Sequence, residues 1–211
     1  ARARRLDLRC RAAECFQQVQ DFVPGHEEAL SFLVEYFTER EDWDHLVALY
    51  EDALKVRQKI ESEQGILLQI GMVHWRMRGR ADLAEPYFAR LRKIEPAHPG
   101  MLQFYREFLG ENDPSGKLLT ILGYAQRVAG PADEKVKLAV ELARAAQDSG
   151  NVERAIEAWK AVQRADAQNA EARDALKQLY RRGEKWNALV EIGRLKAGDS
   201  VPLTLVVEGA G

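Results

Sequence analysis

Residues 136–169 read VKLAVELARAAQDSGNVERAIEAWKAVQRADAQN, and the fold follows from this stretch. Leu138, Ala139, Leu142, Ala143 and Ala146 recur at the spacing of one helix face. Asp148-Ser149-Gly150-Asn151 then interrupts the pattern with turn formers. A second periodic run follows in Ala155, Ile156, Trp159 and Val162. Two short amphipathic helices joined by a tight glycine turn make one antiparallel hairpin in 34 residues. Ala155 is small enough to let the two backbones approach, and Trp159, one turn later, fills the space beyond. One hairpin cannot bury both of its faces, so neighbours must supply the rest of its core.

Working outward, the same offsets return. Ala155, Trp159, Val162 and Ala167 stand at 0, +4, +7 and +12. So do Ala12, Phe16, Val19 and Pro24, and again Ala84, Phe88, Leu91 and Pro96. Leu46, Tyr50 and Ala53, then Leu118, Leu122 and Ala125, keep the first three offsets. First helices precede them, with Leu30, Leu33, Val34 and Phe37 in one and Leu68, Gly71, Met72 and Trp75 in the next. The reading predicts a partial unit over 1–24 and full units near 27–60, 65–98, 99–130, 136–169 and 169–196. Residues 197–211 read as an extended tail or the start of a further segment, since Val201–Val207 with Pro202 breaks the helical period. The second helix of the first full unit is expected to run to about Ile60. Pro86 is expected in or just beyond the first turn of its helix, where a missing N–H matters least.

This spacing resembles the tetratricopeptide repeat, over about residues 12–196. Ala84, Phe88 and Pro96, then Ala155 and Trp159, match its small residue, large aromatic and proline, and Gly79 and Gly150 match its turn glycine. The resemblance implies an all-α, right-handed solenoid of antiparallel helix pairs. Leu46, Leu118 and Leu189 replace the small residue, so those pairs should splay slightly.

In that family the first helices line a concave groove. The matching positions here are Glu28, Phe32 and Glu35 in the first full unit, and Ile66, Gln69, Ile70, Val73 and Met77 in the second. Gln103, Phe104 and Glu107 follow in the third, and Lys137, Val140, Glu141 and Arg144 in the fourth. The clamp that chaperone-binding members use for a terminal carboxylate is missing its asparagines; only Lys137 and Arg144 are basic on the right faces. The middle of the groove reads as apolar and its rim as acidic, which suits an extended or helical peptide with apolar anchors and some positive charge. The anchors would be Ile70, Val73 and Phe104. The competing expectation is that Phe32, Ile70 and Phe104 pack between units or against a folded-back helix. Trp43 and Trp186, placed in turns, would pack on the next unit or touch a partner.

Little else carries chemistry. His26, His45, His74 and His98 are scattered without a second ligand at metal spacing, so each reads as a surface or capping residue. Cys10 and Cys15 are five apart, off one helix face, and lack a nearby histidine. No glycine-rich phosphate loop is present in the sequence. The sequence therefore predicts no enzyme, no metal and no cofactor. Thirty-one basic residues against 33 acidic ones give a net charge of −2, so nucleic acid is not an expected partner. The five arginines at positions 2, 4, 5, 9 and 11 have no interleaved aromatics and do not change that. No apolar run approaches the roughly 20 residues that cross a bilayer. A reduced, cytoplasmic compartment is the expectation, although the start at Ala1 without methionine leaves room for a fragment and a removed leader. The expected role is a protein-interaction scaffold. Self-assembly through end repeats is the alternative, because an open solenoid end exposes apolar surface.

Overall fold

A computed structural model describes residues 2–56, 60–110, 113 and 116–182. Among them the chain is all helix and turn, with no strand. The elements are α1 (Arg2–Phe22), α2 (Glu27–Glu39), α3 (Trp43–Lys55) and α4 (Ile60–Met72), which continues as a π-helical turn over Val73–Met77. Then come α5 (Ala81–Ile94), α6 (Pro99–Leu109), α7 (Lys117–Val128), α8 (Ala132–Asp148), α9 (Val152–Ala165) and α10 (Ala170–Arg182). The helices form two compact units, Ala1–Tyr124 and Ala125–Gly211. Within each, sequence neighbours pack on one another as TPR-like hairpins.

The repeat is visible in the hydrogen bonds. In the hairpin turns the Asp42 N–H donates to Phe37 O at 2.9 Å, and the Asn151 N–H to Ala146 O at the same distance. The residue before each donor lies in the left-handed region: Gly150 at φ 73° and Glu41 at φ 54°. In the α4–α5 hairpin Gly79 takes that place at φ 64°, and the Arg80 N–H reaches one residue further back, to His74 O at 2.8 Å. The extra residue is the one the π turn absorbs.

The loops from second to first helices share a geometry too. The N–H groups of Val23, Glu95 and Asp166 each donate to the carbonyl four residues earlier at 2.8 Å. His26, His98 and Asn169 then cap α2, α6 and α10 by accepting from the N–H of Ala29, Met101 and Ala172. Each cap satisfies one of the donors a helix start leaves open.

Small residues set how close the helices come. Ala143 and Ala146 on α8 and Ala155 on α9 are fully buried where these two helices meet. In the α4–α5 hairpin Gly71 faces Phe88: a Cβ there would stand 2.8 Å from the ring. In the α2–α3 pair Leu46 holds the small position and is itself buried. Leu189 lies outside the described residues.

One helix boundary and one histidine depart from expectation. The second helix of the first full unit stops at Lys55 rather than near Ile60, and α4 begins at Ile60, ahead of Gly65. Glu63 explains the early start: its side chain is 6% exposed and accepts from Arg90 of α5 at 2.6 and 2.8 Å, tying this end of α4 down. Pro86, the sixth residue of α5, falls just beyond the first turn. His74 is neither a cap nor a surface residue but is buried, 6% exposed. The second helix of the last unit, Trp186 and the 197–211 tail lie outside the described residues.

Candidate functional site

The first helices carry the face on which the groove positions fall. In unit 1 they are α2, α4 with its π turn, and α6. Ile70 and Phe104 are fully buried and Val73 is 6% exposed. Phe104 stacks on Phe88 at 4.3 Å and meets Trp75 edge-on at 5.4 Å. These three side chains fill the space between helices, so they present nothing to a ligand. The reason is geometric: a helix packed on both sides has apolar residues over more than half its circumference, and spacing alone does not say which stripe faces out. Phe32 is half-buried, held between Phe16 at 4.7 Å and Tyr36 at 6.2 Å, and Ile66 is half-buried as well.

The reachable positions of unit 1 are mostly polar. Glu28, Glu35, Gln69, Gln103 and Glu107 are exposed, and Met77 is 55% exposed. Two of the acids are engaged. Glu35 pairs with Arg9 of α1 at 3.0 Å. Glu107 accepts both guanidinium nitrogens of Arg76 at 2.8 and 3.0 Å, which, with the Gln103 amide, holds its carboxyl below the usual range. This fork joins the π turn to α6, and Arg76 also lies over the Trp75 ring at 3.5 Å. Phe108, 38% exposed and stacked on Phe104 at 5.0 Å, adds apolar surface that the sequence reading missed.

In unit 2 the face belongs to α8 and α10, and here it opens into a cleft of about 450 Å³. Arg144, Gln147 and Asp148 line it from α8; Glu171, Asp174, Ala175 and Gln178 line it from α10. Trp159 of α9 forms the floor, 1% exposed, with its indole N–H donating to Gln147 Oε1 at 3.2 Å. Arg144 grips Glu171 in a two-pronged bridge at 2.6 and 2.7 Å, lowering that carboxyl's pKa and raising its own. Three carboxylates against one guanidinium make the lining acidic. Of the other positions expected here, Lys137 is exposed beside Asp133 at 3.8 Å, and Val140 and Glu141 are half-buried; none of the three lines the cleft. The expected groove positions stop with Arg144 in the fourth full unit, so they do not include Asp148 at the end of α8 or Glu171, Asp174 and Gln178 of α10. Its 171, 174, 178 spacing was the available signal, since it puts three polar residues on one stripe.

Among the described residues no cluster of metal-binding side chains occurs, and no helix is long and apolar enough to cross a membrane.

No protein-family model matches the chain, and no curated protein matches its sequence. Solved structures do resemble it. The MamA protein aligns over 80% of this chain and 92% of its own, at 15% identity and a TM-score of 0.43. BtubC from P. vanneervenii aligns over 100% and 99%, at 14% and 0.41. The APC/C hetero-tetramer Cut9–Hcn1 aligns over 92% and 38%, at 14% and 0.39. Independently of these, the recurring turn bonds, caps and buried small–aromatic pairs give the chain a TPR-like helical-repeat fold.

Proposed function

We propose that this chain is a non-catalytic protein-interaction scaffold that takes a peptide or partner helix on its first-helix face. The observation that carries the reading is the α8–α10 cleft: an open, acid-lined depression over a buried tryptophan floor. A binding site of this kind needs shape from packed helices and charge from the rim, and both are present. The ligand it fits is a segment with basic side chains. In unit 1 the same face offers Met77 and Phe108 as exposed apolar contacts.

The test is binding of lysine- and arginine-rich peptides against acidic ones, with the parent and an Asp148→Lys/Asp174→Lys variant. The parent binds the basic set and the variant loses about tenfold or more, roughly 1.4 kcal/mol, with its helical circular dichroism unchanged. Equal binding by both proteins removes the cleft from the reading.

A second reading, self-assembly, is favoured by α1. Leu8 is 65% exposed and Phe22 87% exposed, two helical repeats of seven apart on one face. A single monomeric species in sedimentation at high concentration would count against it.

A further inference from the structure

The π turn that ends α4 holds a buried histidine with an unmet bond. His74 is 6% exposed, and its Nδ1 is fully buried without a hydrogen-bond partner. The ring stacks on Tyr87 of α5 at 5.7 Å, nearly parallel at 21°. Its own carbonyl accepts the Arg80 N–H that closes the hairpin. Other charged groups around it come from each packed element. From α3, Glu51 accepts the Tyr87 hydroxyl proton and Asp44 pairs with Arg78 at 2.8 Å. From the turn come Arg78 and Arg80, and from α5 Asp82, which holds Arg80 at 2.8 Å.

Those surroundings suit a neutral imidazole. Protonation would place a second N–H in a pocket with no acceptor for it and would set a cation beside two guanidinium groups. Glu51 and Asp82 oppose this only in part, since each already serves another partner. The turn is also irregular, a single π-helical turn at the end of an α-helix.

We propose that His74 is an acid-sensitive latch: neutral, it holds the π turn of α4 against α5, and protonated, it releases that turn. Arg76 and Met77 lie on the same turn, so release also loosens the Arg76–Glu107 bridge to α6. The device needs no ligand, and its turn also carries Met77, one of the exposed contacts of the unit 1 face.

Burial, with Arg78 next, pushes the imidazole below its ordinary value of 6.5. The unfolded chain therefore takes up the proton first as pH falls. Stability is whole above about pH 6.5 and declines below it, until the folded ring also titrates. The folding constant should fall by up to about tenfold per pH unit in that window.

Nuclear magnetic resonance titration of the His74 ring in the intact protein is the direct test. A midpoint below 6.5, with amide exchange of Arg78 and Arg80 rising through the same range, supports the latch. A midpoint at or above 6.5, or a ring that titrates while those amides stay protected, overturns it. His74→Phe is the companion variant: its unfolding midpoint should lose the His74 share of the acid slope, and a slope equal to the parent's would also overturn the proposal. The ring titration keeps the test decisive if that variant fails to fold.

Discussion

Glu41 stands where the other two hairpins described have glycine. At φ 54° it bears a side-chain clash that Gly79 and Gly150 avoid. Glu41→Gly should stabilise the protein by about 0.5–1 kcal/mol, less than the full left-handed penalty because glycine frees the unfolded chain. Urea unfolding reads this as a higher midpoint. The Arg90–Glu63 pair acts in the opposite sense. Arg90→Ala leaves a carboxylate that is 6% exposed without this partner and should cost about 1–3 kcal/mol by the same measurement. Phe104→Asp should abolish the near-ultraviolet signal of unit 1. It puts a charge where the Phe88, Trp75 and Phe108 rings meet, beyond the roughly 3–5 kcal/mol of losing the ring alone. Retained native packing would show that this aromatic cluster yields more than its burial implies.

At the level of elements, close approach decides the pairs. Gly71→Ala drives a methyl into the Phe88 ring, and both neighbours of that ring, Trp75 and Phe104, are themselves packed. The cost should be about 1–3 kcal/mol, seen as a lower melting temperature with the helix content intact. The helices themselves were legible in the sequence because apolar spacing, turn glycines and the +12 proline or alanine all repeat. The start of α4 was not, because no cap or breaker marks it; the Glu63–Arg90 ion pair ties that end down from another helix. The π turn was equally hidden, since Val73–Met77 has the composition of any helix end. Groove positions fared unevenly for a related reason. Spacing put Glu35, Met77, Glu107 and Arg144 on the surface and also put Ile70, Val73 and Phe104 there, where they are core. Only the packing of adjacent repeats tells those two sets apart.

For the molecule as a whole, ionisation sets limits at the alkaline end as well. Burial and the bond to Glu51 push the Tyr87 phenol up to about 12, and burial pushes Tyr105 further. Both groups keep their protons in the fold after the unfolded chain has lost them. Stability is therefore whole below about pH 10 and declines as pH climbs from there towards 12. Denaturation midpoints should fall across that range, and Tyr87→Phe should flatten part of the fall; an unchanged slope would show that Tyr87 titrates as an exposed phenol does. The loops before α2, α6 and α10 carry one further implication, because their backbone bonds are interchangeable. A gene encoding such a chain can gain or lose the stretch between two of them by unequal recombination, and the new junction inherits a turn that already works. Length then becomes a trait that drifts and is selected cheaply, while the joints stay constant.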